Sequence, residues 1–146
     1  MQSNEKDKLR EFYCDSWQKF LDKKPLTELE QQIIAVVKEH PEYHQLIENK
    51  DASVSADYLP EMGDTNPFLH LGMHLGIREQ VVTDRPAGIA ELYQRLVALK
   101  GVSNAEHEMM ECLGEMILIA TKAQTQPDEI SYLNCLGKLV EIEPDK

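Results

Sequence analysis

NPFLHLGMHLGIREQVV, residues 66–82, is the stretch whose reading decides the fold. Asn66 followed by Pro67 is a helix start: asparagine caps, and proline suits the first helical position, where no N–H is needed. Apolar residues then run nearly all the way round, which predicts a helix buried on most of its faces. A second stretch, NAEHEMMECLGEMILIATKA at residues 104–123, has the same character. These two are the expected centre of the molecule.

Working outward, Leu9, Phe12, Tyr13, Trp17, Phe20 and Leu21 recur at three- and four-residue steps and predict an amphipathic helix over about residues 4–23. Thr27-x-x-Glu30 is a capping box opening a second helix, with Leu29, Ile33, Ile34 and Val37 as its buried stripe. Pro41 should end that helix at His40, because proline disfavours helical backbone in the residue before it, and should start a short helix, PEYHQLIENK. Residues 51–65 lack periodicity and are expected as the only long loop. Asp84 and Pro86 signal a fifth helix ending at Gly101, and Ser103-x-x-Glu106 a second capping box opening the sixth. Pro127 and Asp128 open a seventh, with Ile130, Leu133, Leu136 and Val140 inward. No alternating strand pattern occurs. The expectation is an all-α protein, a single compact bundle of about six or seven helices over residues 1–146, its fourth and sixth helices most buried.

Charge narrows the partners. Lysine and arginine total 15 against 26 acids, a formal charge of −11, and no basic patch interrupts it. Such a field repels phosphate backbones and anionic lipid, so neither nucleic acid nor membrane is an expected partner. The N-terminus MQSNEKDKLR has no apolar region and no long stretch is free of charge, so neither a signal peptide nor a membrane span is expected, and the cytoplasm is the expected location. Cys14, Cys112 and Cys135 are odd in number and widely spaced, which predicts free core cysteines in place of disulfides or a zinc knuckle. Methionines 109, 110 and 116 are expected in the core.

The histidines carry the chemistry. His70 and His74 are four residues apart, hence about 40° apart around the axis and one turn along it. Gly72 and Gly76, on the far side, predict close packing of another helix. His107 and Glu111 repeat the spacing on the sixth helix. From Gly101 to Thr121 there are four glutamates (Glu106, Glu108, Glu111 and Glu115) and no lysine or arginine. Glu106 and Glu108 fall in the first turn, favoured by the helix dipole. Glu111 and Glu115 lie mid-helix among apolar residues, and a buried carboxylate must be paired, protonated or bound to metal. If the two helices face each other, His70, His74, His107 and Glu111, with Glu115 in reserve, could hold one divalent ion: zinc, iron, manganese or nickel. The plainer reading has core histidines, with Arg78 neutralising Glu111 or Glu115. His40 and His44 share the spacing, but Pro41 breaks the helix between them and they are set aside. Neither a phosphate loop nor a nucleophile motif is visible.

The blocks NPFLHLGMHLGIREQ, TDRPAGI and AEHEMMECLGE, in that order and preceded by EFYCDSW and PLTELEQQIIAVVKEHPEYH, resemble the proteobacterial family catalogued as domain of unknown function 1841. The resemblance covers nearly the whole chain. It implies a bacterial cytoplasmic protein and brings no activity, substrate or site residue with it. The leading expectation is therefore a metal-binding helical protein. The alternative is an acidic interaction module, docking a basic protein partner or a second copy, with neither metal nor catalysis. No residue is nominated as a catalyst.

Overall fold

The computed structural model describes residues 5–56 and 66–141, and every regular element among them is helical. Contacts cluster the chain into two units, Met1–Leu75 and Gly76–Lys146.

In the first unit α1 (Glu5–Leu21) packs on α2 (Glu28–Lys38). The capping box is present: Thr27 Oγ1 accepts from Glu30 N at 3.1 Å, and Glu30 Oε1 accepts from Thr27 N at 2.8 Å. The other Glu30 oxygen accepts from Lys19 Nζ of α1 at 2.7 Å, so one carboxylate caps a helix and ties it to its neighbour. That lysine and the Thr27 backbone N–H hold the Glu30 carboxyl below the usual range. Proline acts as expected: α2 stops at Lys38, and Pro41–Tyr43 forms a single 3-10 turn leading into α3 (His44–Glu48).

The expected loop is shorter than its sequence suggested, because Lys50–Ser55 form a helix, α4; residues 57–65 lie outside the described residues. A distant side chain explains α4. Buried Arg10, on α1, donates Nη1 to the carbonyls of Val54 and Ala56, both at 2.9 Å. Carbonyls at a helix end have no partner within the helix, and a cation there also suits the dipole. The core of this unit gathers Tyr13, Trp17, Ile33, Val37, Ile47 and Leu71.

Helix α5 (Pro67–Thr83) begins as predicted, with Asn66 Oδ1 accepting from Phe68 N and Leu69 N. The two glycines separate. A Cβ on Gly72 would stand 3.3 Å from the Tyr13 hydroxyl, whereas nothing lies within 4 Å of one on Gly76. Only Gly72 answers to close packing.

The second unit adds α6 (Ile89–Lys100), α7 (Val102–Ala123) and α8 (Glu129–Val140) to the end of α5. The first starts later than expected. The Arg85–Pro86 peptide is cis, Gly88 caps at φ +100°, and Asp84 Oδ1 receives the Gly88 and Ala90 N–H groups. Helix α8 starts as expected, Asp128 capping Ile130 and Ser131, but Ile130 points outward at 71% exposure, and Tyr132, Leu136 and Val140 form the inner face. Met109, Met110 and Met116 are buried as expected, while Ile117, Leu118 and Ile119 are exposed, so α7 is less enclosed than its composition implied.

Two expectations fail outright in this unit. Glu106 is no capping-box residue, since α7 already begins at Val102. Cys112 and Cys135 are joined in a disulfide between α7 and α8, with a Cα–Cα distance of 5.9 Å; Cys14 alone is free, and buried. Spacing misled because the two cysteines are 23 residues apart, and only the packing of consecutive helices brings them together.

Candidate metal centre

His40, discarded at the sequence level, is the residue around which the site is built. It follows the last residues of α2, where the chain leaves helical geometry at φ −127°, ψ 67°. Its ring folds back so that Nδ1 lies 2.8 Å from the Val36 carbonyl. A carbonyl only accepts, so Nδ1 carries the hydrogen, and in the neutral ring Nε2 is the lone-pair nitrogen. The break at Pro41 thus does not disqualify His40. It turns the residue out of the helix, and the helix end orients its ring.

His70 and His74 arrive from α5, one turn apart, with Nε2 atoms 3.3 Å from each other. The three rings form a nearly equilateral triangle: His40–His70 5.0 Å, His40–His74 4.7 Å and His70–His74 4.9 Å between centroids. All three pairs are tilted or edge-on, at 57–76°, so no two rings stack face to face. One nitrogen from each lies within 4.8 Å of the others. His74 is 1% exposed and His40 5%. Tyr43 closes one side, parallel to His40 at 5.6 Å and edge-on to His70 at 5.9 Å.

The geometry can be set against coordination chemistry. Zinc–nitrogen bonds of about 2.0–2.1 Å at a tetrahedral angle place neighbouring donors about 3.3–3.4 Å apart. The His70–His74 separation of 3.3 Å is such an edge. His44 behaves differently. Its Nε2 faces the Val37 carbonyl at 2.8 Å and its ring lies 4.6 Å from Trp17, so it is a half-buried histidine tying the turn to α2.

The remaining residues of the expected set lie on α7. His107 is half-buried, and Glu111 and Glu115 are exposed, so these two are not the buried carboxylates the apolar context suggested. That carboxylate is Glu106, wholly buried. Arg78 grips it with two bonds, Nε to Oε2 at 2.9 Å and Nη2 to Oε1 at 3.0 Å, and the Tyr93 hydroxyl donates to Oε2 at 2.7 Å. Arg78 therefore neutralises Glu106, in place of Glu111 or Glu115. The signal that could have found this was the cation-free run itself, read for the residue facing α5. The signal for His40 was a histidine directly after a helix end, where orphan carbonyls await a donor.

No helix among the described residues is long and apolar enough to cross a membrane. Neither the curated proteins nor the solved structures include a match. A family model described as "Domain of unknown function (DUF1841)" matches residues 5–138, nearly the whole chain, and the protein belongs to that family.

Proposed function

We propose that this protein binds one divalent transition metal, zinc by preference, through His40, His70 and His74. The observation that carries the reading is the convergence of three imidazoles, two of which, His70 and His74, have the spacing of a tetrahedral edge. The His40 Nδ1–Val36 contact supports it, since metal-binding histidines commonly give their other ring hydrogen to a carbonyl or carboxylate. Glu111, being exposed, is left out. Losing the carboxylate changes the choice of metal. An all-imidazole set suits zinc, copper or nickel, whereas manganese favours oxygen donors. Four imidazoles would make a structural centre; three with a bound water would leave a position open to substrate.

The test is metal analysis of untagged protein purified without chelator and then reloaded. About one equivalent of zinc is expected, and less than about a tenth of an equivalent of any transition metal would overturn the reading. Replacing His44 should leave uptake intact and replacing His40 should abolish it. The rival reading, an interaction module without metal, draws on the exposed apolar side chains Ile117, Leu118, Ile119 and Ile130. It gains if the reloaded protein stays metal-free.

A further inference from the structure

We propose that Cys112 and Cys135 are a reversible thiol–disulfide exchange site whose reactive end is Cys135, with low-molecular-weight thiols as its chemical partners. The proposal is independent of the metal reading.

The two sulfurs are unequal in their surroundings. Cys112 is 4% exposed and sits on the buried side of α7. Cys135 is half-buried and lines a cavity of about 280 Å³ together with Glu115, Met116, Ser131, Asn134 and Lys138. A thiolate opens a disulfide by attacking one sulfur while the other departs, so access decides which sulfur is attacked. Here the open approach leads to Cys135. Lys138, three residues on and on the rim of the same cavity, supplies a positive charge toward an incoming thiolate. Glu115 opposes it, which favours thiols without a large negative charge.

Helices α7 and α8 also bury Met109, Met116, Leu136 and Val140 along their apolar stripes, packing that should hold the two helices together when the disulfide opens. A thiolate attacks Sγ of Cys135, the S–S bond breaks, and Cys112 leaves as a thiolate that takes up a proton. A second thiol then attacks the mixed disulfide, freeing the Cys135 thiol and releasing the small-molecule disulfide. Two external thiols are oxidised and one protein disulfide is reduced to two thiols.

The experiment uses the full chain with glutathione as probe. After equilibration with oxidised glutathione, thiol titration in denaturant should find one free thiol per chain, that of Cys14. The folded protein is then exposed to reduced glutathione, quenched in acid and mapped by peptide mass. Mixed disulfide should lie on Cys135 in at least about tenfold excess over Cys112. Incubated with oxidised glutathione, Cys112→Ser should take up one glutathione at Cys135 with release of one reduced glutathione, and Cys135→Ser none at Cys112; if either variant fails to fold, trapping on the unaltered chain reads the same partition. Three free thiols after oxidation, equal labelling of both sulfurs, or a bond that opens only in denaturant would each overturn the proposal.

Discussion

At the start of α5, His70 and His74 meet His40 in a group whose potential ligand atoms are all imidazole nitrogens. One turn further on, Arg78 and the Tyr93 hydroxyl both donate to Glu106, in a group of a cation, an anion and a hydroxyl. Both place polar atoms in the interior, where unpaired polarity is costly. The second group is electrically closed: the guanidinium and carboxylate cancel, and both carboxylate oxygens are engaged. The first is made of imidazole rings, two of whose Nε2 atoms lie 3.3 Å apart. Imidazole nitrogens are common ligands of transition metals and a guanidinium is not, and this contrast along a single helix is why the histidines, and not the buried ion pair, are read as the candidate metal site.

The largest expected effect breaks the closed end. Glu106→Gln removes the charge opposing Arg78, and breaking a buried pair from one side costs about 3–5 kcal/mol. Arg78 keeps 26% of its side chain in solvent and can be partly rehydrated, so a loss of about 3 kcal/mol is expected in urea unfolding. A loss below about 1 kcal/mol would show that the ion pair is not what holds this end.

Next in size is the histidine end. Zinc at a hundredfold its Kd should add about 2.7 kcal/mol of stability, seen as a rise in Tm that His74→Ala removes. The same addition should leave the melting of Glu106→Gln displaced by an equal increment, since the two groups share no ligand. Equal zinc response in His74→Ala and the unaltered protein would erase the contrast between the ends of α5.

A smaller effect sharpens the description of the closed end. The Tyr132 hydroxyl donates to Gln80 Oε1, near the end of α5, at 2.7 Å, and Tyr132→Phe should cost about 1 kcal/mol. Burial pushes the Tyr132 hydroxyl well above its ordinary value. The folded state therefore favours the neutral form: its contribution is complete below the ordinary tyrosine pKa of about 10 and is lost as pH rises beyond it toward the raised folded value. Burial also raises Tyr13 and Tyr43, so alkaline titration followed by tyrosinate absorbance should show one late-ionising tyrosine fewer in Tyr132→Phe. The smallest effect is expected at Glu111. Glu111→Gln, at an exposed position, should change stability by less than about 0.5 kcal/mol and leave zinc uptake unchanged.

The all-helical character and most helix starts were legible in the residues alone. The Thr27 capping box, the Asn66 and Asp128 caps and the stop before Pro41 are local events, decided by atoms a few residues apart, and the His70–His74 pair is equally local because one helical turn brings them together. What needed tertiary structure was every choice between residues with the same local credentials. Among four glutamates on one helix, the rotation of α7 against α5 selected Glu106 for Arg78 and left Glu111 in solvent. His40 lies 30 residues before His70, and Cys112 lies 23 before Cys135. Side-chain pairings at those separations depend on how helices pack, and helical periodicity carries no information about a partner on another helix.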